Sequence, residues 1–225
     1  MSGKLYVVAV PIGNPRDISL RAVDLLAAVD LVVCETTKET GRLLKGLGIR
    51  AKELVELNEH NEEEQARTVL ARLSAGQAAA LVSDAGTPVF YDPGTALIAL
   101  AAETQIPVVP VPGPSSLMAA LSVLDFAPRQ FFFAGFPPRE SNARRAALRQ
   151  YHRQRLAVVL MDAPYRMGAL LADVAREWGV DWQVILAADL TLPSEAIYRG
   201  PVGGVAQRVK GQKAEFVLVI HPPVS

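Results

Sequence analysis

Four loops carry the residues best suited to grip a small ligand, and each directly follows a strongly apolar run. They lie in residues 7–14 (VVAVPIGN), 80–88 (ALVSDAGTP), 108–116 (VVPVPGPSS) and 131–138 (FFFAGFPP). Glycine admits positive φ and close backbone approach, while proline fixes φ and withdraws an N–H. Loops of this kind at the carboxyl ends of buried strands are where open α/β sheets hold ligands. In the second loop, Ala85, Gly86 and Thr87 are small enough for backbone N–H and C=O groups to reach a ligand. Asp84 sets a carboxylate at the strand's mouth, where it suits a cationic group or ties down its own loop as an Asx-turn. Tyr91 and Asp92 close that loop, with Asp92 expected in a turn or helix cap. Ser115 and Ser116 open a helix whose free N–H groups suit an acceptor atom on a ligand, or else serve as plain N-caps. No G-x-G-x-x-G follows the first strand and no G-x-x-x-x-G-K-[ST] occurs, so the standard phosphate cradles are missing. The loops point to a small organic ligand held mainly by backbone.

The elements that must present these loops alternate along the chain. Residues 4–10, 31–34, 53–57, 78–83 and 107–111 read as strands. Between them, helices are expected from Ser19 to Val29, over 38–47, from Asn61 through 62–73, and over 95–103. That order implies a mostly parallel sheet with helices on both faces. Beyond Pro112-Gly113-Pro114 the pattern changes. Helices over 115–124, 139–153, 165–178 and 202–209 alternate with strands over 130–133, 156–161, 184–189, 195–199 and 215–220, some joined by very few residues. The expectation is an α/β chain of two domains, 1–112 with a mostly parallel sheet and 113–225 with a mixed one.

Composition narrows the function classes. The 225 residues, half of them hydrophobic, suffice for one large or two small cores. Lys plus Arg and Asp plus Glu number 23 each, so bulk charge does not mark a strongly basic RNA or membrane binder. A local excess sits at Arg144, Arg145, Arg149, Arg153 and Arg155, where a solvated helix face is the default. The single cysteine, Cys34, rules out an intramolecular disulfide and fits a reducing compartment. His60, His152 and His221 lack metal-ligand spacing. With no leader-like start and no apolar stretch of membrane-spanning length, a cytoplasmic protein is expected.

Taken together, VVAVPIGNPRDISLRA, ALVSDAGTPVFYDPG, VVPVPGPSSLMAALS and FFFAGFPPR resemble the tetrapyrrole methylase superfamily, the class III methyltransferases. Within it they are most similar to the branch that methylates ribose 2′-hydroxyls in small-subunit ribosomal RNA. The resemblance implies S-adenosylmethionine as methyl donor, a ligand cleft between two α/β domains, a homodimer, and no metal. It places Pro11, Asp84, Ala85, Gly86, Thr87, Tyr91, Ser115, Ser116, Asp162, Ala187 and Ala188 around the donor. Where that branch reads E-D-T-R-x-T, this chain has Glu35-Thr36-Thr37-Lys38-Glu39-Thr40, and Ala188 replaces an arginine of an A-R-E-L-T segment.

Glu35, Lys38 and Arg166 are then the candidates on the acceptor side. A ribose hydroxyl is a poor nucleophile, so a carboxylate that takes its proton would help, and Glu35 is placed for that role. The plainer alternative is a surface Glu35 paired with Lys38. Ribosomal RNA is the expected acceptor. A tetrapyrrole or other small molecule is the first alternative, and a donor-binding module without transfer activity is the second.

Overall fold

The computed structural model describes residues 3–50 and 52–222. The chain divides into two compact units, Met1–Ser115 and Ser116–Ser225. The first contains β1 (Leu5–Val8), α1 (Leu20–Ala28), β2 (Leu31–Cys34), α2 (Thr37–Gly46), β3 (Glu53–Glu56), α3 (Glu62–Ser74), β4 (Ala79–Val82), α4 (Thr95–Glu103) and β5 (Val108–Val111). Its five strands run in the order β3-β2-β4-β1-β5, and every pair is parallel.

The burial pattern explains why these short runs form a sheet. Successive side chains of a strand face opposite sides, and in β2 both faces are covered. Leu31 and Val33 pack with Val69, Leu73 and Leu97 of α3 and α4, while Val32 and Cys34 pack with Leu26 and Leu44 of α1 and α2. Helix α1 starts where Ser19 Oγ accepts the Ala22 amide at 3.1 Å. Helix α4 is capped from a distance: Glu62 Oε1 accepts both the Gly94 and Ala96 amides at 2.9 Å. Asp92, expected in a turn or helix cap, lies in the bend over 91–93 that leads into α4 and is not the cap.

One strand ends earlier than its apolar run suggests. β1 stops at Val8, and Val10 leaves the sheet to form an isolated antiparallel bridge with Gly86.

The second unit holds α5 (Ser116–Ser122), β6 (Phe131–Gly135), α6 (Ser141–His152), β7 (Ala157–Asp162), α7 (Met167–Trp178), β8 (Gln183–Ala188), β9 (Ala196–Pro201), α8 (Val202–Arg208) and β10 (Phe216–His221). The strand order is β6-β7-β10-β8-β9. Only β6 and β7 are parallel, so this is the mixed sheet read from the sequence. One face is sealed by Leu148, Leu170, Leu171, Val174 and Val205 of α6, α7 and α8, and the other by α5 through Ala120. Helix α7 begins two residues later than the sequence suggests, because Pro164–Arg166 forms a 3-10 turn first.

Candidate functional site

Three loops of the first unit are tied together at the carboxyl ends of β1, β4 and β5. The Val10 amide donates to Gly86 O at 2.8 Å and the Gly86 amide returns to Val10 O at 3.1 Å. Thr87 Oγ1 donates to Pro114 O at 3.1 Å. Gly86 has φ +78°, and a Cβ there would meet Ile12 Cγ2 at 3.2 Å. That φ favours glycine, and the approach leaves little room for a side chain. Gly86 is therefore the buried tether, and Ala85 and Thr87 flank it on the exposed side. Pro11 lies within the tied segment, half-buried, and Ser115 directly follows Pro114. Tyr91 is exposed, its ring edge-on to Phe90 at 5.7 Å between centroids.

The charged residues at these strand mouths sort into committed and uncommitted groups. Asp84 is neither free nor an Asx-turn. Its Oδ2 accepts the Thr36 hydroxyl at 2.7 Å and its Oδ1 accepts the Thr36 amide at 3.2 Å. Glu35, the neighbour of Thr36, makes no hydrogen bond or ion pair among the described residues, and it is half-buried. The pairing with Lys38 weighed from the sequence is not formed: Lys38 is exposed and also unpaired among those residues, and Glu39 pairs instead with Arg42. Burial pushes the Glu35 carboxyl above the usual glutamate range, and the negative charges of Asp84, Asp92 and Glu59 push it further. Burial also raises the Asp92 carboxyl, against a lowering hydrogen bond from Ser83. Cys34 is buried and its thiol raised chiefly by that burial, which makes it a core residue.

In the second unit, Asp162 and Ala188 lie on the two strands that flank β10, both in register with Phe216. Ala187, one step along, pairs with Val217. Asp162 Oδ1 accepts the Ala163 amide at 2.8 Å and lies 3.1 Å from Arg166 Nη1. Arg166 Nη2 donates to the carbonyls of Pro137 (3.1 Å) and Pro138 (2.8 Å), which fastens the β6–α6 loop to the end of β7. Arg166, a candidate acceptor-side group by sequence, is thus a half-buried structural partner, its side chain 12% exposed. Burial raises the Asp162 carboxyl despite the nearby arginines. Its Oδ2 is buried without a hydrogen-bond partner among the described residues.

The arginine-rich helix α6 also departs from its sequence reading. Arg144 is buried, its Nε donating to Asp173 Oδ2 at 2.7 Å and its Nη1 to Arg139 O at 3.0 Å. Arg149 pairs with Glu177 at 2.8 Å. Arg145 bonds Asn142, while Arg153 and Arg155 are exposed and make no ion pair among the described residues. No group of three or more His, Cys, Asp or Glu side chains among the described residues is placed to hold a metal ion, and no helix among them is long and apolar enough to cross a membrane. Thr36 as the partner of Asp84 and Glu62 as the α4 cap emerge only in the fold. In the sequence the only signal for either is residue type.

Comparison with known proteins adds what geometry cannot. The model for the Tetrapyrrole (Corrin/Porphyrin) Methylases matches residues 4–206. A protein of Escherichia coli O157:H7 named ribosomal RNA small subunit methyltransferase I is 41% identical over 223 residues, covering 97% of this chain and 78% of the relative. One of the same name from Neisseria meningitidis is 41% identical over 226 residues, covering 99% and 77%. In fold, the chain resembles uroporphyrin-III C-methyl transferase of Thermus thermophilus complexed with S-adenyl homocysteine. The TM-score is 0.66 at 19% identity, over 97% of each chain.

Proposed function

The chain belongs to the tetrapyrrole (corrin/porphyrin) methylase family and is an S-adenosylmethionine-dependent methyltransferase, and we propose that its acceptor is a ribose 2′-hydroxyl of small-subunit ribosomal RNA. The names of the relatives support the RNA class. The observation that carries the chemistry is Glu35, a half-buried carboxylate with no partner among the described residues, at the mouth of β2. When bound, S-adenosylmethionine supplies a methyl group on a positively charged sulfur, a good leaving group for in-line displacement.

The chain's own residues must hold that donor, orient the hydroxyl and take its proton. Pro11, Ala85, Gly86, Thr87, Tyr91 and Ser115 are the donor contacts proposed in the first unit. The backbone tether at Gly86 fixes the spacing of its neighbours. In the second unit, Ser116, Asp162, Ala187 and Ala188 are proposed. The unpartnered Oδ2 of Asp162 fits a ligand that presents O–H and N–H donors, and this donor has both. Asp84 is proposed as a further donor contact, its carboxylate oriented by Thr36. Glu35 accepts the 2′-hydroxyl proton as the oxygen–methyl bond forms, and its raised affinity for protons strengthens it as a base. Lys38, Arg153 and Arg155 are free to meet backbone phosphates. A homodimer and a cytoplasmic location complete the proposal. Sedimentation of a species of monomer mass at micromolar concentration would overturn the dimer.

The test is mass spectrometry of small-subunit RNA nucleosides from cells with and without the protein. Loss of one 2′-O-methylated nucleoside supports the reading. An unchanged RNA with a methylated small molecule lost instead moves the acceptor to a tetrapyrrole or similar compound.

A further inference from the structure

We propose that Thr36 is a positioning residue that clamps the Asp84 carboxylate with its hydroxyl and its amide, and so holds Glu35 in the orientation that takes the acceptor proton. This rests on the reading of Glu35 given above and deepens it.

The sheet sets up the contact. Cys34 of β2 is in register with Val82 of β4, so Thr36 and Asp84 each stand two residues past the last paired position. The two are 48 residues apart in sequence, yet Thr36 meets both carboxylate oxygens, at 2.7 Å through Oγ1 and 3.2 Å through its amide. Two donors from one residue fix the plane of a carboxylate more tightly than one donor does. Because the second donor is the amide of the Glu35–Thr36 peptide, fixing it also fixes the backbone from which Glu35 projects.

Thr36 forgoes its ordinary role to do this. It is the N-cap residue of α2, with φ −124° and ψ 116°, but its side chain makes no capping hydrogen bond. An N-cap threonine usually bonds the amide two or three residues on. Here that hydroxyl is turned away from its own helix and toward Asp84. The pairing also distinguishes the two carboxylates at these strand mouths. Both oxygens of Asp84 are engaged, whereas Glu35 has no hydrogen bond or ion pair among the described residues.

The test compares Thr36→Val, which keeps shape and loses the donor, with Thr36→Ser, which keeps the donor. Labelled methyl transfer from S-adenosylmethionine to small ribosomal subunits lacking the modification gives kcat and KM, and titration calorimetry gives the donor Kd. Thr36→Val is expected to lower kcat by about tenfold or more, since small misplacements of a reacting group are costly. Its donor Kd and its KM for the subunit should stay within about twofold of the parent, the mark of an effect confined to the transition state. Thr36→Ser should restore most of the rate. A Thr36→Val protein as fast as the parent, or a Thr36→Ser protein as slow as Thr36→Val, overturns the clamp and leaves the functional reading standing. A parent protein that transfers no methyl to the subunit overturns that reading and this role with it.

Discussion

At the strand mouths of the first unit, Glu35 and Lys38 stand without an ion pair among the described residues. The charged side chains singled out in the second unit are treated in the opposite way. Arg144 and Asp173 are buried against each other, and the half-buried Arg166 pairs with the buried Asp162. A carboxylate left unpaired beside other carboxylates is costly to keep ionised, and such a cost is retained where chemistry needs a base. A buried pair marks a place where two segments are locked instead. In the second unit the locks join α6 to α7 and the β6–α6 loop to the end of β7. At its strand mouths the first unit ties its loops with the Val10–Gly86 backbone bridge and the neutral Thr87 hydroxyl on Pro114 O. Those ties leave the Glu35 carboxylate and the Lys38 ammonium uncommitted among the described residues.

The sharpest way to break this contrast is to remove one member of a lock. Arg144→Ala strands the Asp173 carboxylate in a buried position and should destabilise the protein by about 3–5 kcal/mol. Urea unfolding of variant and parent reads that loss directly, and a loss below about 1 kcal/mol would place Arg144 among ordinary surface arginines.

Glu35→Gln should do the reverse, leaving stability almost unchanged and lowering kcat by about a hundredfold, which is about 2.7 kcal/mol in the barrier. Donor affinity by calorimetry should match the parent. The same carboxyl sets the pH dependence. Its proton is held above the usual glutamate range by burial and by Asp84, Asp92 and Glu59, and the base must be ionised to act. The rate should therefore rise with pH through an inflection above that of an ordinary glutamate, and Asp92→Asn should move the inflection down. For stability the sign is the opposite. A carboxyl raised on folding favours the folded state below its unfolded pKa, and that contribution is lost as pH rises through the folded value.

Smaller effects sharpen the comparison. Gly86→Ala places a side chain at φ +78°, which should cost about 1–2 kcal/mol of stability and weaken donor binding through the displaced Ala85 and Thr87. Donor affinity equal to the parent's in a folded Gly86→Ala protein would reduce the loop to a turn. Arg153→Gln, at the exposed residue just past α6 that makes no ion pair among the described residues, should lower the slope of log affinity for RNA against log salt by about one. Arg149→Gln, whose parent side chain is held by Glu177, should change that slope less.

Much of this architecture is legible in the sequence because buried parallel strands are short apolar runs bounded by turn residues, as Leu31–Cys34 and Ala79–Val82 show. Long-range partners are not legible in that way. Nothing local tells that the hydroxyl of Thr36 turns to Asp84, or that Glu62 caps a helix starting more than thirty residues later. Arg144 carried a signal that a charge count hides. It shares a helix face with Leu148, four residues on, and that face is the buried one. Val10 reads as the end of a β-branched run, but the demand of the Gly86 bridge takes it out of the sheet. In Arg166 the residue type was legible and its role was not, because an arginine at i+4 from an aspartate serves equally well as a ligand contact or as a lock.

The most direct test of the account is transfer of a deuterated methyl group. Small subunits lacking the modification are incubated with purified protein and S-adenosylmethionine carrying that methyl, and the RNA is digested for nucleoside mass spectrometry. The expected product is a single 2′-O-methyl nucleoside bearing the label with the parent protein, and about a hundredfold less with Glu35→Gln. Label on a base, label on a small molecule instead of RNA, or full transfer by Glu35→Gln would contradict it.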